Sequence, residues 1–297
     1  METRSLLSPR LMAVLVACLV AIGLSREVQA MEQSVFARQN LVAWCIVPFD
    51  AKRRGPEERA KMLQRLGFTK LAYDWRDEHV PSFEDEIAQL KAHGIEFFAF
   101  WGVHDKAFEL FAQHKMSPQI WQTLSPTSPP GATQEEKVER AAKGLLPLVE
   151  RTRKMGSKLG LYNHGGWGGE PESLAAVCEW LRKNAQAEHV GIVYNLHHGH
   201  GHIDDFPQAL ARMKPYLLCL NLNGMNTGAR PQILALGKGQ HDKAMLEAIR
   251  ASGYGGPIGL IGHRAEVDAE QSLGENLEGL KQLLKQIGDD AALKTYR

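Results

Sequence analysis

Four histidines fall within six residues of the stretch YNLHHGHGHIDDF, at His197, His198, His200 and His202. Neutral imidazoles suit Zn²⁺, Ni²⁺, Cu²⁺ or Fe²⁺, and the same rings exchange protons near neutrality because their unperturbed pKa is about 6.5. A polar turn is the third reading, with Gly199 and Gly201 supplying the bends. The apolar run VGIVY (190–194) leads directly into the motif. Alternation along a strand then puts Val193, Asn195 and His197 on one face and Ile192, Tyr194 and Leu196 on the other. His197 and His200 are expected to serve a site, and His198 and His202 to fill the loop.

Other apolar runs also close on polar residues. They end in Asp74-Trp75-Arg76-Asp77, in Trp101 followed by His104, in Tyr162-Asn163-His164, in Asn221-Leu222-Asn223 and in His263-Arg264. Asp74 is the carboxylate expected to act as general base, with Arg76 orienting it or binding an oxyanion. An Asp74–Arg76 pair that only braces its loop is the plainer alternative. Trp75, Trp101 and Trp167 offer flat faces for a ring-shaped ligand, or packing. Asn163 and Asn223 carry donor and acceptor groups suited to ligand hydroxyls. His104 reads as a site residue or as loop packing, and His79, His93, His114, His189 and His241 as surface residues.

These residues need a scaffold that gathers strand ends. The strand candidates are 41–47, 68–75, 95–101, 158–164, 189–197, 216–223, a weak one at QILAL (232–236), and 257–263. Helical patterns separate them, among them 56–66, 82–93, 171–184 and 269–287. Pro56 and Pro171 occupy first-turn positions, and Ser82 followed by Asp85 resembles a cap. Strands alternating with helices imply parallel pairing through right-handed crossovers. Eight such units predict an α/β fold, a (β/α)8 barrel forming a single domain, whose active site sits at the strand C-termini. A doubly wound sheet would carry a glycine-rich loop after its first strand, whereas VPFDAKRRGP has one glycine. The segment 104–156 is longer than one unit needs and is expected to carry an extra helix, with SPTSPP (125–130) as a rigid turn.

The N-terminus reads as a leader. Arg4 and Arg10 precede the apolar run 11–24, and Val28-Gln29-Ala30 forms a small-residue site. This predicts a signal peptide over residues 1–30, cleavage near Ala30, and a secreted or periplasmic chain of residues 31–297. A lipoprotein around Cys18 and an uncleaved anchor are the minor alternatives. Removing Arg4, Arg10, Arg26, Glu2 and Glu27 with the leader leaves basic and acidic side chains in balance. Neutral charge gives no electrostatic reason to expect nucleic acid or an anionic membrane. Cys45, Cys178 and Cys219 sit in apolar or helical patterns and are expected to be buried thiols.

The chain resembles the xylose isomerase-like TIM-barrel superfamily, through LGFTKLAYDW, LYNHGGWGGEPESL, HHGHGHIDDFPQAL and LGKGQHDKAMLEAIRASGYGGPIGLIGHR. The resemblance covers the chain after its leader. It is similar in particular to a secreted branch that keeps the histidine-rich motif. Metal-binding members ligate through Glu after the fourth candidate strand, Asp and a nearby His after the fifth, His after the sixth, and Glu after the last. Matched to this chain, those positions are Tyr162, His197, His200, Asn221, and Gly262 or His263. Both glutamates are gone, so a carboxylate-rich Mn²⁺ or Mg²⁺ site does not carry over.

Together these readings predict an exported, carbohydrate-active barrel that transfers a proton next to a sugar carbonyl, as an isomerase, epimerase or lyase/hydratase. Asp74 and one of His164 or His200 would exchange the proton. Arg76, Trp101, His104, Asn163 and Asn223 would bind substrate, and Asn223 would steady the enediolate. One divalent transition metal on His164, His197, His200 and His263 is the cofactor reading. The alternative is an inactive carbohydrate-binding or interaction module.

Overall fold

The computed structural model describes residues 34–124 and 128–296. The predicted leader, its cleavage site and part of the SPTSPP turn lie outside them. Eight parallel strands close in sequence order, so β1 pairs with both β2 and β8. They are β1 (Leu41–Trp44), β2 (Lys70–Tyr73), β3 (Glu96–Trp101), β4 (Gln119–Thr123), β5 (Leu159–Tyr162), β6 (Val190–Asn195), β7 (Leu217–Leu222) and β8 (Ile258–Ile261). The ring of helices is α1 (Pro56–Leu66), α2 (Phe83–Ala92), α3 (Asp105–Gln113), α4 (Gln134–Met155), α5 (Pro171–Ala185), α6 (Phe206–Met213), α7 (Asp242–Ala251) and α8 (Ala269–Gln286), followed by the short α9 (Asp290–Lys294). Among the described residues no helix is long and apolar enough to cross a membrane.

The predicted (β/α)8 TIM barrel is the fold, but one of its strands is not the expected one. QILAL makes no barrel strand: Leu234 bridges only Gly224, and the Leu236 N–H is taken by Asn276 Oδ1 at 2.8 Å. Its buried leucine packs into the helix-side core instead. The strand that completes the barrel is β4, QIWQT, inside the segment that seemed too long for one unit. It hid because its inward positions are not aliphatic. Trp121 points into the barrel, and its indole N–H donates to Gln119 Oε1 at 3.0 Å. Consequently the fourth, fifth and sixth candidate strands are β5, β6 and β7. The expected cap at Ser82 also differs: its hydroxyl donates to the His79 carbonyl and makes no bond to α2.

Alternation sorts the side chains into two layers. Leu71, Leu161, Ile192, Leu220 and Leu260 face the helices. Val42, Trp44, Ala72, Trp121, Tyr162, Val193, Cys219 and Ile261 fill the interior. Cys45, Cys178 and Cys219 are buried and unbridged, as expected.

The upper interior is polar. Asn195 Oδ1 accepts from Trp44 Nε1 at 3.1 Å and from Asn221 Nδ2 at 2.8 Å. On its other side, the Asn195 backbone N–H and Nδ2 both donate to Asn163 Oδ1, at 2.7 and 3.0 Å, and Asn163 Nδ2 donates to the Asn195 carbonyl at 3.1 Å. All three asparagines are fully buried. Gly259 makes room for this ladder, since a Cβ there would lie 1.7 Å from Asn221 Oδ1.

Removing a hub strands every partner it satisfied. Asn195→Ala is expected to cost about 3 kcal/mol or more, seen as a lower urea midpoint with unchanged slope. A loss below about 0.5 kcal/mol would mean that the ladder is energetically idle.

Candidate functional site

The C-terminal ends of the strands gather a ring of aromatic and titratable groups. Asp74 follows β2 on an inward position and is 2% exposed. Its Oδ1 accepts the Val47 N–H at 3.4 Å, while Oδ2 has no protein partner. Burial raises its pKa to about 6, against the opposing pull of Arg76 and of backbone N–H groups. No carboxylate oxygen lies within 4 Å of Arg76 among the described residues, so the simple Asp74–Arg76 brace is not formed. Arg76 instead lies over Phe49 and Trp101, with its guanidinium carbon 5.5 and 5.6 Å from the two ring centres.

The ring continues through the histidines. His263 after β8 packs 3.7 Å from Phe49, and His197 lies 5.6 Å from His263 between ring centres. His197 and His198 sit in a 3-10 turn directly after β6. The His198 ring lies 3.7 Å from His197 and 4.5 Å from His164, which follows β5 and is exposed. His198 is therefore a member of the cluster and not loop filling. The turn, rather than a continued strand, swings it to the same side as His197, and strand parity could not show this.

His200 takes a different direction. Its Nδ1 lies 3.1 Å from the His197 carbonyl, and its Nε2 is buried without a partner. His202 leaves the mouth altogether, sitting between Glu170 at 2.9 Å and Asp205 at 3.0 Å. Although burial opposes it, this pair of carboxylates raises its pKa. The cluster behaves oppositely. Burial lowers the pKa of His197 far below its ordinary value, with His198, His263, His164 and His200 adding to the effect. Burial and then His164 lower His198 to about 4, burial lowers His200, and burial and Arg76 lower His263. These four rings are neutral at pH 7.

The remaining predicted residues divide. Trp101 lines the mouth under Arg76, and Trp75 packs on Phe100 while donating to the Trp101 carbonyl at 2.8 Å. His104 contacts Trp75 and Phe83 on the helix side, where its ring packs the loop. Trp167 donates to Gln134 at 2.7 Å in the outer ring. Asn163 is committed to Asn195 and has no group left for a sugar. Asn223 is fully buried, donates to the Gly224 carbonyl at 2.8 Å, and keeps Oδ1 unpartnered. Its available atom is an acceptor, which suits a hydroxyl and not an enediolate oxygen. Among the expected surface histidines, His114 is exposed. His79 is half-buried and accepts the Arg76 N–H at 2.9 Å, fixing the start of that loop. His189 braces β6 against α4 through Thr152 and Val149.

A closed parallel barrel with its polar cluster at this end defines a class of protein, and the sequence match narrows it. The chain belongs to the xylose isomerase-like TIM barrel family, whose model matches residues 74–283. No curated protein matches the chain. Among solved structures it is similar to 3-keto-D-glucoside 4-epimerase of E. coli, at 16% identity and TM-score 0.60, covering 83% of this chain and 99% of that one. It is also similar to the IOLI protein with a bound zinc atom, at 13% identity and TM-score 0.62, covering 83% and 98%. A xylose isomerase-like protein of Mycobacterium smegmatis in complex with magnesium is a third, at 14% identity and TM-score 0.55, covering 86% and 97%. At these identities the likeness establishes the fold.

Those metal-bearing neighbours pose a direct test of the donor set here. Tyr162 is enclosed by Trp44 and Trp121, and Asn221 is spent on Asn195. Among the described residues no three His, Cys, Asp or Glu side chains are placed to hold an ion. The arrangement does not fit the family's carboxylate-rich metal site.

Asp74 gives a stability signature. Its folded pKa exceeds the unfolded value of about 4, so its contribution is fully present below that pH and is lost as pH rises through about 6. Asp74→Asn is expected to be more stable than wild type at pH 8 by about 1–3 kcal/mol, with the difference shrinking toward zero at pH 4. Urea unfolding across that range measures it, and a variant less stable at pH 8 would contradict the assignment.

Proposed function

We propose that this barrel moves a proton at the carbon next to a sugar carbonyl, as an isomerase, epimerase or lyase/hydratase. The observation that carries the reading is Asp74, a buried carboxyl with one free oxygen and a pKa of about 6, facing the mouth. In a ring of eight, β6 stands four strands from β2 either way round, so the imidazoles of the β6 turn oppose Asp74 across the mouth. The ionised carboxylate takes the proton from carbon. Neutral imidazole N–H groups then donate to the oxygen on which charge develops, as a preorganised dipole does without carrying charge itself. His164, at the solvent edge, returns a proton, while the free Nε2 of His200, an acceptor because its Nδ1–H faces the His197 carbonyl, and Asn223 Oδ1 hold hydroxyls. The solved 3-keto-glucoside epimerase supports sugar chemistry on this scaffold. The leader predicted over residues 1–30 supports a periplasmic or extracellular compartment, and the solved sugar epimerase supports a small carbohydrate as the partner.

A second use of the same rings is nitrogen ligation of one divalent transition metal. The unpartnered Nδ1 atoms of His197 and His263 and Nε2 of His200 favour it, although the rings must turn to converge. Elemental analysis of protein purified without a metal-binding tag decides between the two. Stoichiometric metal that His197→Ala removes establishes ligation.

Deuterium exchange at the α-carbon of keto sugars in D₂O tests the catalytic reading. Exchange is expected to rise with pH through about 6 as Asp74 ionises. Asp74→Asn is expected to lower it by about 10²–10⁴-fold, with His202→Ala near wild type. Sugar binding without exchange in the wild-type protein would identify a binding module instead.

A further inference from the structure

Arg76 is held in place yet has no anionic partner. Its backbone N–H is taken by His79, Nη1 donates to the Trp75 carbonyl at 2.6 Å, and its plane lies over Phe49 and Trp101. Nε and Nη2 make no protein hydrogen bond among the described residues. That edge of a guanidinium is one that takes a carboxylate through two parallel bonds. Of the cations on the surrounding loops, Arg264 is engaged with Glu275, Lys52 with Asp268, and Arg54 with Asp50 and Asp268, whereas Arg53, Arg230 and Lys238 are exposed at the rim. The mouth thus offers one fixed positive charge, surrounded by rings that bring N–H donors and no further charge.

We infer that the mouth is built for a sugar bearing a carboxylate, a uronate or an aldonate, seated on the Nε–Nη2 edge of Arg76. This rests on the carbohydrate reading of the mouth and names its substrate class. A single guanidinium matches a monoanion. A phosphate dianion would call for a second cation fixed beside Arg76, and the loop cations without an ion pair among the described residues, Arg53, Arg230 and Lys238, are exposed at the rim. The aromatic shelf under Arg76 restricts its rotamers, so little order has to be imposed when the carboxylate arrives.

Calorimetric titration of the purified protein with D-glucuronate, D-gluconate, D-glucose and glucose 6-phosphate tests this. The two acids are expected to bind about tenfold tighter than glucose or better. Arg76→Gln should abolish that preference, bringing the two acids to the affinity of glucose in the same variant, and Arg76→Lys should keep part of it. Equal affinity for acid and neutral sugar, a preference that survives in Arg76→Gln, or tighter binding of the phosphate would each overturn the inference and leave the carbohydrate reading standing. If none of the sugars binds the wild-type protein, both fall together.

Discussion

Everything at the mouth depends on how a closed barrel satisfies polar groups that it has buried. Without a sheet edge or water to turn to, an interior amide must find its partner on a neighbouring strand. Asn195 does so in both directions, reaching Asn163 after β5 and Asn221 on β7, and it also takes the Trp44 indole from β1. The ladder ties together the ends of the strands that carry His164 and His197. It sets the level at which β6 stops and the turn bearing His197 and His198 begins. Polar side chains here act as structural pins, and the site stands on top of them.

The electrostatics of the mouth follow from the same burial. A carboxyl and four imidazoles are each pushed toward their neutral forms, so the region is rich in hydrogen-bonding atoms and poor in charge. Histidines crowded together reinforce the effect, because protonating one raises the cost of protonating the next. His202 shows the contrast within a few residues of chain. Carrying the same side chain, it turns outward between two carboxylates and is pushed the other way. Position along the turn, not composition, separates the two behaviours.

The architecture was legible because parallel strands buried on both faces are continuous apolar runs with polar ends. Seven of the strands announced themselves in this way, and the inward parity of Val193, Asn195 and His197 held. QIWQT did not, because an inward tryptophan paired with glutamine looks like an amphipathic loop, while QILAL showed the right composition without a barrel position. At the site, Asp74, Arg76, His197 and His263 were readable from strand ends. His198 was not, since its direction is set by a 3-10 turn that no period of two describes. Asn163 was readable as polar and inward, but not as already bonded, because hydrogen-bond partners on neighbouring strands leave no trace in a single sequence.

The space left by Gly259 has a consequence for its neighbours. Asn221 occupies it, Asn195 leans on Asn221, and Trp44 leans on Asn195, so residues on four strands, β8, β7, β6 and β1, are interlocked. A side chain added at Gly259, or a different one at Asn221, displaces or strands the rest of the set. These positions can change only in concert.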